Sequence, residues 1–177
     1  MKKQDIAHWK CHAKLEKREG DIDACKTPEE RLAFLKNTVP YEVIEMEGNC
    51  LLNSGIDKIW DLVTGVVAGA DHVYDGPANN DKATIGVGDS TDEEDATETD
   101  LQAATNKTYK TMEAGYPTST AQKATFKSSF GSGDANYDWE EWVVKQVTSA
   151  VCLNRKVESL GTKSTGTWTL EVDITLS

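Results

Sequence analysis

A chain of 177 residues can bury one sizeable core, and 38% hydrophobic with 28% charged residues, five of the total being tryptophan, describes a polar but globular protein. Nineteen Lys and Arg against thirty Asp and Glu leave a formal charge of −11, which excludes binding nucleic acid mainly by phosphate neutralisation and favours a basic or neutral partner. The start of the chain lacks the apolar core of a signal peptide and no run approaches the ~20 apolar residues that span a bilayer, so the expectation is a soluble protein made in a cytosol, with no nucleic-acid and no membrane partner.

Residues 9–16 alternate Trp9, Cys11, Ala13 and Leu15 with Lys10, His12, Lys14 and Glu16, the period of a half-buried strand. Thr27, Pro28, Glu29 and Glu30 read as an N-cap, a proline at the first helical position and acids in the first turn. A short helix carrying Leu32, Phe34 and Leu35 follows and ends near Asn37, and Pro40 opens a strand over 41–46 placed to pair with the first. Past Gly48 and Asn49 the spacing becomes helical, through Leu52, Ile56, Ile59, Trp60 and Val63, with Gly65 to close it. Residues 71–81, with Gly76, Pro77, Asn79 and Asn80, are a loop by composition.

A short apolar strand over 83–87 ends at Gly88. Most of the net charge is local: Asp71, Asp75, Asp81, Asp89, Asp92, Glu93, Glu94, Asp95, Glu98 and Asp100 face only Lys82, and the expected form is a solvated acidic loop. Strands are expected over 106–112 and, from the alternation of Ala124, Phe126, Ser128 and Phe130, over the stretch before the turn at Gly131 to Asp134. Residues 137–147 and 152–157 follow as strands. In the last one, Trp168, Leu170, Val172, Ile174 and Leu176 face one way and Thr167, Thr169, Glu171, Asp173 and Thr175 the other. Six to eight strands with two short helices predict a mainly β protein, a β-sandwich or jelly roll. Residues 48–177 would form the main domain, with residues 1–47 as a strand pair and helix, an appendage to it.

Enzymatic readings lack parts. There is no nucleophile elbow, phosphate loop or dinucleotide fingerprint, and Gly86 and Gly88 read as strand-end glycines. His8, Cys11, His12 and Cys25 have the atom types for zinc, yet alternation puts Cys11 on the face opposite His8 and His12. The acids after Gly88 lack the spacing of an EF-hand loop. Glu140 and Glu141, between Trp139 and Trp142, suggest a sugar site, but neighbours on a strand point to opposite faces and cannot flank one substrate. The expectation is no catalytic residue, no metal and no cofactor. Cys11, Cys25, Cys50 and Cys152 are expected to stay thiols in a reducing compartment.

Several segments carry a resemblance: Ile85 to Thr91, Thr99 to Ala103, Met112 to Pro117, Phe130 to Tyr137, Trp139 to Trp142, Leu153 to Lys156 and Leu160 to Lys163. Over residues 48–177 they look like a family of small tailed-bacteriophage structural proteins, often described as tail-fibre or structural proteins. Residues 139–144 are also similar to a strand of phage tail-collar fibre domains. The resemblance implies a virion role without catalytic residues. The acid-rich segment after Gly88 and the helix at Pro28 depart from the family pattern.

The first functional reading is therefore a non-enzymatic, homo-oligomeric virion component, tail-associated as a fibre or baseplate piece, with capsid decoration or head fibre as the alternative. Other virion proteins would be its partners and the virion its location. Asp92, Glu93, Glu94 and Asp95 are the expected contacts to a basic neighbour, and Tyr137 and Trp142 the expected aromatic contacts. A carbohydrate-binding module, stacking sugars on Tyr137, Trp139 and Trp142, is the second class. A glycan hydrolase is the third, without an identifiable acid and base.

Overall fold

The computed structural model describes residues 9–64, 83–146 and 151–176, without the side chains of 61–64. The expectations for His8, Gly65, residues 71–81 and Lys82 lie outside the described residues, as does the side chain of Val63. Ten strands follow in chain order: β1 (Trp9–Arg18), β2 (Glu42–Glu47), β3 (Cys50–Leu51), β4 (Ala83–Gly88), β5 (Lys107–Thr111), β6 (Thr118–Thr120), β7 (Lys123–Phe130), β8 (Asp138–Gln146), β9 (Cys152–Thr162) and β10 (Thr167–Leu176). Two helices, α1 (Pro28–Asn37) and α2 (Asn53–Thr64), lie between β1 and β2 and between β3 and β4.

The strands make two five-stranded antiparallel sheets, ordered β2-β1-β10-β7-β6 and β3-β9-β8-β4-β5. Their inner faces share one apolar cluster, which makes the fold a β-sandwich. Cys11, Ala13, Leu15, Phe126, Phe130, Trp168, Leu170, Val172 and Ile174 come from the first sheet, and Ile85, Val87, Trp139, Trp142, Val144, Leu153 and Leu160 from the second. The alternation read in the last strand holds from Trp168 to Ile174. It fails at Leu176, which is left exposed where the strand reaches the rim of the sandwich.

Residues 9–18 are not part of an appendage. β1 lies between β2 and β10 and pairs with β10 over ten consecutive positions, from Trp9 opposite Leu176 to Arg18 opposite Thr167. Leu15 and Met46 belong to the same core as Leu170, so a boundary at residue 47 would cut one hydrophobic core in two.

The α1 helix begins as its sequence requires. Thr27 accepts from the Glu30 amide while Glu30 returns a bond to the Thr27 amide, a complete capping box with Pro28 in the first turn. It buries no residue and is pinned by charge instead. Arg31 donates to both oxygens of Glu113 (2.6 and 3.1 Å) and to Asp23 (3.1 Å). α2 approaches β9 so closely that a Cβ at Gly55 would stand 2.6 Å from the Leu153 carbonyl, a gap only glycine tolerates. Ser54 Oγ donates to the Cys152 carbonyl at 2.9 Å and fixes the same approach.

Trp139 and Trp142 are three residues apart, which on a regular strand would separate them, yet both face the core. The pairing of β8 with β9 loses register between Trp139 and Glu141, and the irregularity turns the chain over. Glu141, Val143 and Lys145 are thereby directed to the outer side of the second sheet.

Candidate functional site

The outer side of the second sheet is where charged residues are most deeply built in. Arg155 lies opposite Val143 on β9, and neither Arg155 nor Glu141 is accessible to solvent. Arg155 Nε donates to Glu141 Oε2 at 2.7 Å, and Nη1 donates to both oxygens of Glu98 at 3.0 and 3.1 Å. The remaining reach of the guanidinium goes to main-chain carbonyls, Asp92 O at 3.0 Å from Nη2 and Glu93 O at 3.3 Å from Nη1. Glu141 is equally occupied, because Oε1 accepts from the Ala103 amide (2.8 Å) and Oε2 from the Gln102 amide (3.0 Å) as well as from Arg155. A buried charge at such a site is tolerated only when all its hydrogen-bonding capacity is met.

The acidic stretch is therefore a strap tied across the sheet. Glu94 Oε1 accepts from the Val157 amide at 2.8 Å, and Asp95 folds onto Thr97, accepting from its amide at 2.8 Å. Thr97 holds the Asp95 carboxyl below its ordinary pKa. The side chains of Asp92 and Glu93 in the strap are exposed. Farther along, Asp100 receives Lys145 Nζ at 2.7 Å and the hydroxyl of Tyr109. Leu52, Leu101, Val143 and Cys152 form a second, smaller apolar cluster at this outer side.

A second polar junction holds the turn after β7. Asp21 Oδ1 accepts from the Ser132 amide at 2.9 Å, and Lys110 Nζ bridges Asp134 (2.6 Å) and Asp23 (3.3 Å). Lys163 is almost fully buried and donates to the Gly131 carbonyl (2.6 Å) and to Asn136 Oδ1 (3.0 Å). Burial pulls its pKa down, against the opposing pull of Asp134, Asp21 and Asp23.

Of the expected contact residues, Trp142 is 0% exposed and packs in the core, so its ring cannot reach a neighbour. The register break that turns Trp142 inward is the reason. Trp139 is buried equally, donating its Nε1–H to the Ala135 carbonyl at 2.9 Å, and so two of the three aromatics of the sugar-stacking reading have no exposed face. Tyr137 is half-buried, its hydroxyl 3.1 Å from the Val87 carbonyl and 3.0 Å from Thr108 Oγ1. Glu140 stays at the surface and accepts from Ser159 Oγ at 3.0 Å, apart from the fate of Glu141. Of the polar residues that organise this region, Arg155 and Lys163 entered the sequence reading only within the resembling segments, and Glu141 only as half of a sugar site that strand geometry rejects. The signal available in the sequence was a charge inside an apolar strand run, Glu141 before Trp142 and Val143 and Arg155 after Leu153.

Among the described residues no group of three or more His, Cys, Asp or Glu side chains is arranged to hold a metal ion. On β1, Cys11 is buried in the core and its thiol is pushed up to about 12 by burial, with Glu47 and Asp173 adding to the rise. His12 on the outer face lies 3.6 Å from Glu45. Cys152 is likewise pushed up to about 12 by burial, so neither buried thiol is a reactive thiolate near neutrality. Among the described residues no helix is long and apolar enough to cross a membrane.

The carboxylates define an acid limit. Burial works to raise Asp100, Asp134 and Asp173, but Lys145 with Tyr109, Lys110, and Lys123 with Thr125 respectively outweigh it and hold all three below the ordinary range. A group depressed in the folded state contributes fully above its unfolded pKa, about 4, and loses that contribution as pH falls through the lower folded value. The melting temperature is expected to stay level from neutrality to about pH 5 and to drop below about pH 4. A level profile down to strongly acid pH would show that these ion pairs add nothing net.

Comparison with known protein families, with curated proteins and with solved structures finds no match.

Proposed function

We propose that the protein is a non-enzymatic structural component of a tailed-bacteriophage virion, tail-associated as a fibre or baseplate piece, with capsid decoration or head fibre as the alternative location. One observation carries the reading. The segments that resemble the phage structural family meet one another in pairs at the polar ties of the sandwich. Arg155 and Glu141 join the Leu153 to Lys156 and Trp139 to Trp142 segments, and Glu141 also takes the amides of Gln102 and Ala103. Lys163 joins its segment to Gly131 and Asn136, and Tyr137 reaches the carbonyl of Val87. What these motifs encode is a scaffold that holds loops on sheets, the requirement of a subunit that packs against neighbours.

In this reading the outward carboxylates of Asp92 and Glu93, with Glu94 and Asp95, meet a basic neighbour. The combined substitution Asp92→Asn, Glu93→Gln, Glu94→Gln and Asp95→Asn keeps acceptors for Val157 and Thr97, so the isolated chain should change in stability by only about 0.5 kcal/mol. Its incorporation into particles should fall, and incorporation of the unsubstituted chain should itself fall as salt rises, because exposed charges are screened over about 8 Å at physiological ionic strength. Undiminished incorporation would remove the strap from the contact surface. Negative-stain imaging of purified particles carrying a labelled chain tests the role itself. Label on the tail supports the first location, label on the head the alternative, and particles without the chain would overturn the proposal.

A further inference from the structure

The inner face of the first sheet runs on past the packed core at one end of the sandwich. Trp9 stands opposite Leu176, and Ile174 stands between Cys11 and Ala124, so Trp9, Ala124, Ile174 and Leu176 share the face turned toward the second sheet, two positions beyond Phe126 and Val172. These side chains, with Leu153 of β9 and with Gly55 and Ile59 of α2, line a cavity of about 490 Å³. The floor is buried and the rim is not: Ile174 is 4% exposed and Phe126 5%, whereas Leu176 is 46% exposed. Two walls are fixed by hydrogen bonds. Ser54 holds α2 against the Cys152 carbonyl at 2.9 Å, and the Trp9 indole donates to Asn49 Oδ1 at 2.7 Å. Size and apolar lining are those of a small-molecule site, for which roughly 300–1,000 Å³ is usual.

We infer that this cavity takes the apolar tail of a small anionic amphiphile, in its simplest form a fatty carboxylate, with the head group at Lys58. Charge selects the anion. The charged residues that line the cavity are Lys58 and Lys123, and no carboxylate lines it, although the chain as a whole carries −11. Lys123 stands opposite Thr175 on the outer face of the sheet and is held by Asp173 at 2.7 Å. Lys58 lies on α2 between Gly55 and Ile59, the two helix residues at the cavity, and is therefore the cation that meets the head group. Ser119 and Gln122 add uncharged polar groups to the same lining. Burial of the tail supplies the affinity, and Lys58 supplies the preference for a negative head. A cationic head would meet lysines and no acid. This site goes beyond the virion reading and is tested without particles, so either can fail alone.

Calorimetric titration of the full chain at low salt with decanoate and with decanol gives the test. Decanoate should bind saturably, one per chain, and about tenfold more tightly than the neutral alcohol. Hydrogen exchange should slow at residues 53–59 and 172–176 when decanoate is added, and stay unchanged over β2. Lys58→Glu should weaken decanoate by about tenfold and leave decanol unchanged, whereas Ala124→Trp, which fills the cavity, should abolish both. Should the Ala124 variant fail to fold, the split between the two ligands in Lys58→Glu decides alone. No saturable binding of decanoate, protection that maps elsewhere, or a Lys58→Glu variant that treats the two ligands alike would overturn the inference. Decanoate affinity that falls as the protein concentration rises would also overturn it, by making a second copy the occupant.

Discussion

Replacing Arg155 by methionine should cost about 3–5 kcal/mol of folding stability, because it leaves a buried carboxylate without its counter-charge. Glu141 is inaccessible to solvent and the Glu98 side chain is 13% exposed, and both are held by this one guanidinium. The main-chain carbonyls of Asp92 and Glu93 lose their donor in the same step. The acidic strap should then lift from the second sheet, seen as faster hydrogen exchange over residues 89–103 and lower stability in urea. Adding Glu141→Leu removes the uncompensated charge but strands the amides of Gln102 and Ala103, so the double variant should recover only part of the loss. A single variant within about 1 kcal/mol of the parent would mean that the strap is held by something other than this triad.

Trp168→Ala should cost a similar amount, about 3–5 kcal/mol, by opening a cavity in the core. The ring is 3% exposed, stands edge-on to Trp139 at a centroid distance of 4.9 Å, and carries Lys17 Nζ over its face at 4.2 Å. Trp139 in turn meets Phe130 edge-on at 4.8 Å, so one deletion unseats a row of three aromatics that spans both sheets. The Trp168 indole N–H, 3.3 Å from the Tyr41 hydroxyl, also ties the approach to β2 to the core. Denaturant unfolding checks the figure, and a loss below about 1 kcal/mol would return the ring to the surface.

Much of the architecture was legible because the signals are local. The alternation in residues 9–16 and 167–176, the Thr27 and Pro28 helix start and the helical spacing from Leu52 each depend on neighbours a few residues away. The short strands β3 and β6 carry too few residues for a period. β9 runs on to Thr162, past the expected end at Val157, through Gly161, whose φ is +93°. The candidate contact residues were less legible, since an aromatic pair such as Trp139 and Trp142 looks alike whether it faces solvent or core.

By itself the sequence determined the mainly β class, most strand and helix positions, and the alternating face of β10, because side-chain period and capping chemistry act within a single element. Tertiary structure decided that β1 is an interior strand, that Trp142 is buried, and that the acidic stretch is a strap on Arg155. Those outcomes rest on pairings between distant positions, Arg155 with Asp92 across 63 residues and Glu141 with Gln102 across 39. A buried charge finds its partner only when the sheets close, and no local pattern encodes which partner that will be.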